Sequence, residues 1–282
     1  MYRRAWAIYN IFHSDCISSI TKPVIPLTVS QVASFVAFMH LQGYAPSTQV
    51  TYISSLGYLH KISSETDPTK QFIIQKLLVG AMKISPSIDN RLPITLMLLY
   101  RLLEDIHHYV FSKYNRILLS TMFVVAFFGL FRIGELTISV HKEILLNLSD
   151  LCYHEDHFTI SIKKYKHSKN KGSVSIPLLR HDNKLICPVL NMLQFLEIRG
   201  YSPGPLFCFA SGNHVPRTFF AKYLNIGIKF IGLQSSLYKS HSFRIGGASY
   251  LAELGLSDAQ IRERGRWDSD AFKKYIRNLR LS

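Results

Sequence analysis

Four places in this 282-residue sequence carry side chains whose types and spacing suit work on an anion. In Ser240-His241-Ser242-Phe243-Arg244 the histidine and the second basic residue stand three apart, so a helix starting here shows both on one face. Arg132 follows a fifteen-residue, mostly apolar run over residues 117–131. An arginine in that position is a charge that the fold must neutralise or use, and Glu135 is the structural partner within reach. Lys163, Lys164, Lys166, Lys169 and Lys171 crowd into ten residues between two alternating segments. Five lysines at a hairpin tip repel one another unless an anion sits among them. Near the end, Gly265-Arg266-Trp267 is followed by Ser269, which caps a last helix, and Tyr275 falls on that helix.

Each of these residues also has an ordinary structural reading. Tyr275 shares a helix face with Phe272 and Leu279 and fits a core aromatic. His241 fits a helix-start histidine, Trp267 a packing residue, and the lysines a solvated loop.

Composition narrows the choice. Hydrophobic residues make up 48% and charged residues 18%, which excludes a disordered chain and allows a sizeable core. Lysine and arginine outnumber aspartate and glutamate by 33 to 18, a formal charge of +15. That excess suits a polyanionic partner, nucleic acid first and an anionic membrane surface second. The four cysteines include no CxxC pair, which fits a reducing compartment and argues against a disulfide framework. Cys152, His154 and His157 surround a strand turn without a recognisable ligand pattern, so no metal is expected. Residues 117–131 fall short of the roughly 20 needed for a membrane span and read as a buried helix. Arg3 and Arg4 precede an amphipathic stretch with no cleavage site, so no signal peptide is expected.

The elements that must position these residues fall into two parts. Residues 1–90 read as helices: Thr28 and Gln31 form a capping box ahead of Val32, Phe35, Val36 and Met39. Gly43 ends that helix, Pro46 opens the next one, and an apolar helix covers Ile73 to Met82. The Pro/Ser/Asn stretch from Pro86 to Pro93 marks a domain boundary. Residues 94–282 carry 25 basic and 14 acidic side chains, so most of the charge excess lies in the second part. There Thr95 caps a leucine-rich helix. Phe158, Ile160 and Ile162 then alternate with polar residues, as do Val174, Ile176 and Leu178, which predicts a β-hairpin. Helices resume from about Cys187, and Ser257 with Gln260 forms another capping box.

Taken together, the Phe-Arg-Ile-Gly-Glu block at 131–135, the Tyr-Lys-His-Ser hairpin, Ser-His-Ser-Phe-Arg-Ile-Gly-Gly, Gly-Arg-Trp and Lys-Tyr-Ile-Arg resemble the tyrosine recombinase (phage-integrase-like) superfamily. They are most similar to recombinases of eukaryotic mobile elements, Crypton-like or DIRS-like. The resemblance implies a mostly α, two-domain protein: a SAM-like helical core-binding domain over 1–90 and a catalytic domain over 91–282 with a small antiparallel hairpin sheet. It implies strand cleavage and rejoining in duplex DNA through a 3′-phosphotyrosine, without metal or cofactor, by a homotetramer on two DNA sites. Tyr275 would be the nucleophile. Arg132 and Arg244 would clamp the phosphate, and His241 would hydrogen-bond it and help remove the tyrosine proton. Lys166 would protonate the leaving 5′ oxygen, with Lys164 and Lys169 as rivals for that role. The family's histidine-or-tryptophan position falls on Arg266 by gapless count and on Trp267 after a one-residue shift; the indole N–H favours Trp267. Lys163, Lys164, Lys169, Lys171 and Arg266 would contact DNA. The compartment implied is the nucleus in a eukaryote and the cytoplasm otherwise. Two alternatives share parts of this pattern: a domesticated, non-catalytic DNA-binding protein, and a type IB topoisomerase.

Overall fold

A computed structural model describes residues 2–85, 89–138, 146–163 and 172–277. The chain separates into two compact units, Met1–Asp89 and Asn90–Ser282. The first consists of α1 (Tyr2–Cys16), α2 (Val29–Leu41), α3 (Pro46–Ile62) and α4 (Phe72–Ile84). The Thr28–Gln31 capping box starts α2, and Pro46 occupies the first turn of α3, where its missing N–H costs nothing. Tyr9, Phe12, Phe35, Met39, Ile53, Leu56 and Ile74 form the core of this unit. Within it the His60 ring takes the Leu27 N–H on Nε2 at 2.9 Å and donates from Nδ1 to the Leu56 carbonyl at 2.9 Å, so burying the imidazole leaves neither nitrogen unmatched.

The second unit begins with α5 (Leu96–Glu104), capped by Thr95, then α6 (Ile106–Tyr109), α7 (Lys113–Phe128) and α8 (Ile133–Leu136). Strands β1 (Leu151–Tyr153), β2 (His157–Ile162) and β3 (Val174–Leu179) form one antiparallel sheet in the order β1-β2-β3. The register pairs Phe158 with Leu178, Ile160 with Ile176 and Ile162 with Val174, which puts the alternating apolar residues on one face. Beyond the sheet come α9 (Pro188–Arg199), α10 (Arg217–Phe230), α11 (Ser242–Glu253) and α12 (Asp258–Gly265). The fold is mostly helical with a small sheet.

Helix α7 is the axis of this unit. Its apolar run is buried on every side, with Leu118, Leu119, Met122, Phe123, Val124, Val125 and Phe127 fully enclosed by the other elements. No helix among the described residues is long and apolar enough to cross a membrane.

The sequence expectation of a final α-helix carrying Tyr275 is corrected. Ser269 does act as an N-cap, but it opens a 3-10 turn, Asp270–Lys274, and Tyr275 lies just beyond that turn. The Phe272–Tyr275 spacing of three is shared by both helix types, so the pattern alone did not separate them.

Two adjacent glycines let α11 pack closely, Gly246 on the segment ahead of α5 and Gly247 on the end of α7. A Cβ on Gly246 would stand 1.7 Å from the Ile94 carbonyl oxygen, and one on Gly247 2.2 Å from that of Phe127. Neither partner is a side chain that could swing away. Gly246→Ala is therefore expected to destabilise the protein by about 2 kcal/mol or more. Thermal melting should show a fall of roughly 5 °C or more, whereas Gly80→Ala, at a site open on the surface of α4, should not lower Tm comparably.

Candidate active site

The site is built where the C-terminal ends of α7 and α12 meet the start of α11. Helix α7 ends at Gly129, and Leu130 takes the left-handed conformation with φ of 50°. The Phe131 N–H bonds back to the Ala126 carbonyl at 3.2 Å, closing the turn. A bulky residue rarely adopts this backbone, at a cost of roughly 1–2 kcal/mol. The geometric result is that the Leu130 carbonyl accepts from two arginines, Arg244 Nη1 and, at 3.0 Å, Arg266 Nη2.

Arg132 is the N-cap residue of α8, and Glu135 lies one turn along. The carboxylate accepts the Arg132 backbone N–H at 2.7 Å and its Nη1 at 3.3 Å. The partner assigned from sequence is thus present, but Glu135 also takes Arg266 Nη2 at 2.9 Å. Burial alone would raise the Glu135 pKa. Arg266, the Arg132 N–H and the Arg132 and Arg244 charges outweigh it and hold the carboxyl below its ordinary value.

Arg244, from the first turn of α11, is 0% exposed. Its Nη1 and Nη2 donate to the carbonyls of Leu130, in the turn that follows α7, and of Gly265, the last residue of α12, where that helix presents the negative end of its dipole. Burial, then the Arg132 and Arg266 charges, push the guanidinium well below the usual arginine value, while Glu135 and Tyr275 act in the opposite sense. The Trp267 ring covers it, with the guanidinium carbon 4.0 Å from the ring centroid.

The Gly265-Arg266-Trp267 turn decides where its two large side chains go. Arg266 is left-handed, with φ of 56°, and the Trp267 N–H returns to the Arg262 carbonyl at 3.0 Å. Gly265 makes room: a Cβ there would stand 1.4 Å from the indole. The two side chains consequently diverge. Trp267 packs on Arg244 and Tyr275, with ring centroids of Trp267 and Tyr275 5.1 Å apart. Arg266 turns inward to Glu135, to Leu130 and, at 3.3 Å, to the Gly129 carbonyl. At 4% exposed it is no surface DNA contact, and that expectation is corrected. Its guanidinium holds the cluster together from inside.

Tyr275 meets this cluster through His241. The tyrosine hydroxyl and His241 Nε2 share a hydrogen bond of 2.7 Å, and the rings lie 5.0 Å apart. Arg132, His241, Arg244, Trp267 and Tyr275, spread over 144 residues of sequence, therefore gather at one place. Arg132 keeps the most outward position of the arginines, with 22% of its side chain exposed.

The lysine hairpin is described only at its root. Lys163 comes directly after β2 and places Nζ 2.7 Å from Asp150, a buried carboxylate before β1, so it anchors the hairpin base. Lys164, Lys166, Lys169 and Lys171 lie outside the described residues. At the other hairpin turn, the His154 and His157 rings stack 4.4 Å apart, with His157 on Asp156 and His154 on Thr159. No metal-binding group of three or more His, Cys, Asp or Glu forms among the described residues.

Several participants had no sequence signal. Nothing marks Leu130 as left-handed or Arg266 as an inward residue. Ser249, a helix-interior serine on α11, bonds the backbone at Tyr275 and Arg277, and no motif around it points to that role.

No protein-family model matches the sequence, and no curated protein matches it. Solved structures do match in fold. The site-specific recombinase XerH bound to its difH substrate, in a pre-cleavage complex, superimposes with a TM-score of 0.65 at 18% identity, covering 98% of this chain and 75% of XerH. The Tn1549 transposon integrase in complex with circular intermediate DNA gives 0.61 at 13% identity, covering 96% and 87%. A lambda integrase tetramer bound to a Holliday junction gives 0.60 at 16% identity, covering 95% and 78%. The chain has the fold of the tyrosine recombinases.

The Glu135 carboxylate should matter to stability in a pH-dependent way. Because its folded pKa is lowered, its contribution is complete above the unfolded value of about 4.3 and disappears as pH falls through the folded value. Glu135→Gln should lose about 3 kcal/mol at pH 7, the cost of breaking a buried pair. The Tm gap between wild type and variant should narrow steadily below about pH 4. An equal gap at pH 7 and pH 3 would show that the carboxylate charge is not what holds the arginines.

Proposed function

We propose that this chain cleaves and rejoins DNA strands as a tyrosine recombinase, through a covalent 3′-phosphotyrosine at Tyr275. The observation that carries this reading is the Tyr275 hydroxyl hydrogen-bonded to His241 beside three arginines, two of which share one carboxylate. Those four charged side chains sum to three positive charges and one negative, a setting suited to a phosphodiester.

In the proposed first step His241 Nε2 takes the Tyr275 proton and the phenolate oxygen attacks the phosphorus. The bond to the 5′ oxygen breaks, and Lys166 supplies the proton that leaves a free 5′ hydroxyl. Rejoining is the same sequence reversed, with an incoming 5′ hydroxyl as nucleophile. Arg132 meets the non-bridging oxygens with its planar fork. Arg244 acts from beneath Trp267 as a fixed charge in a water-poor setting, where its effect on developing negative charge is larger than in solvent. The phosphotyrosine keeps the energy of the broken bond, so rejoining needs no ATP.

The partner is double-stranded DNA, contacted by Lys163, Lys164, Lys169 and Lys171 of the hairpin, and the working assembly is a homotetramer joining two sites. Support comes from the +15 charge and from fold neighbours whose structures contain DNA, one of them as a tetramer on a Holliday junction. The biological setting we infer is integration or transposition of a mobile element of the Crypton-like or DIRS-like kind, acting in the nucleus of a eukaryote or otherwise in the cytoplasm. Residues 1–90 serve as the core-binding domain and 91–282 as the catalytic domain.

The direct test is incubation with nicked duplexes tiled across the DNA flanking the protein's own gene, scoring covalent adducts. Wild type should form an adduct, and Tyr275→Phe should form none while binding the same duplex within about threefold, because only the nucleophilic oxygen is gone. An adduct that survives in Tyr275→Phe would move the nucleophile elsewhere. Lys166→Ala should cleave slowly on ordinary DNA and recover most of its rate when the bridging 5′ oxygen is replaced by sulfur, since a thiolate leaves without a proton. Arg132→Ala should show no such recovery, its loss being at the non-bridging oxygens. Recovery at Lys164 or Lys169 in place of Lys166 would transfer the proton-donor role to that residue.

A further inference from the structure

Helix α11 holds the Tyr275 segment at two points, and only one of them involves the tyrosine side chain. The first is His241 at the head of the helix. The second is Ser249, a little over two turns along. Its hydroxyl donates to the Tyr275 carbonyl at 3.2 Å and accepts the Arg277 N–H at 2.9 Å. Ser249 is 1% exposed.

Those bonds are unusual for a serine in the middle of a helix. Such a hydroxyl ordinarily bonds a carbonyl of its own helix one turn back. Both of the Ser249 bonds go instead to a segment 26 to 28 residues away. The backbone there has need of them. The 3-10 turn stops at Lys274, and among the described residues its last backbone bond is Tyr275 N–H to the Phe272 carbonyl at 2.8 Å. An α-helix would have carried the Tyr275 carbonyl and the Arg277 N–H along its own ladder. Here one serine, acting as donor and acceptor at once, takes both.

On the reading of Tyr275 as nucleophile, we propose that Ser249 is a positioning residue: it fixes the backbone on either side of Ile276, so that the Tyr275 hydroxyl is held on the His241 of its own chain. A nucleophile anchored at its hydroxyl alone could leave its seat by rotating the backbone, whereas anchoring the backbone too restricts the ring to the attack position. The loss of Ser249 should then slow the chemical step and spare DNA binding.

The experiment is single-turnover adduct formation with saturating enzyme on the nicked duplex, alongside the duplex Kd and the thermal melt. Ser249→Ala should form adduct about tenfold more slowly or worse, with Kd within about twofold of wild type. Ser249→Cys keeps nearly the same size and weakens both bonds, so it guards against a folding defect in the alanine variant; it should be slowed several-fold. Wild-type rates in both variants overturn the proposal while leaving Tyr275 as nucleophile. A parallel loss of DNA affinity and rate overturns it too, by assigning Ser249 a general structural role. A mixture of Tyr275→Phe and Arg132→Ala chains should be no more active than the two alone, and recovered cleavage there would overturn it by showing that Tyr275 works on another chain's site. If wild type itself forms no adduct on any duplex, the recombinase reading fails, an outcome distinct from a wild type that reacts and a Ser249 variant that keeps pace with it.

Discussion

Everything around the site depends on how three guanidinium groups, two of them shut away from water, are kept together. At a separation of 4 Å and an effective dielectric near 20, a pair of like charges repels by about 4 kcal/mol, so the cluster cannot stand on packing alone. The counterweight is one carboxylate, Glu135, shared by Arg132 and Arg266, together with the carbonyls that close α7 and α12. Leu130 and Arg266 both adopt left-handed backbone at those helix ends. The strain of each is compensated by the bonds it makes available: the Leu130 carbonyl receives two arginines, and the left-handed Arg266 sends its own side chain to Glu135.

That arrangement fixes the division of labour among the basic residues. Arg266 and Arg244 are enclosed and act as permanent charges, while Arg132 faces outward from the start of α8. Trp267 completes the enclosure by lying on Arg244 and against Tyr275. In the proposed reaction a positive seat assembled before any ligand arrives would have no reorganisation left to do, which is the main way a protein exceeds water as a medium for charged chemistry. Gly247 is a steric condition for it, since a side chain there would meet the Phe127 carbonyl and hold α11 off the end of α7, while Gly246 admits the Ile94 backbone on the neighbouring side.

Much of this was legible in the residues themselves, wherever the cause is local. Capping boxes at Thr28 and Ser257, the Thr95 cap and the strand alternation at 158–162 and 174–178 depend on neighbours within a few positions, and the structure has each of them. The buried character of residues 117–131 came from composition alone. His241 and Arg244 were visible as a pair because a helix fixes the relation of residues three apart.

What only the tertiary structure decided concerns partners and directions set by distant segments. Arg132 and Glu135 are three residues apart and could be paired on sight, but Arg266 reaches Glu135 across 131 residues, and no local rule selects that partner. Whether Arg266 or Trp267 faces the tyrosine turned on a left-handed backbone that non-glycine residues rarely adopt, stabilised by contacts to Gly129 and Leu130. Phe272 and Tyr275 fit either helix type over so short a stretch, so their spacing alone does not tell an α-helix from a 3-10 turn; the turn ends at Lys274, and a serine on another helix bonds the backbone that follows. Sequence thus determined the elements, whose energies are local. The choice of which charge, carbonyl and hydroxyl meet was left to packing, because those bonds exist only once remote parts of the chain have been brought within about 3 Å of one another.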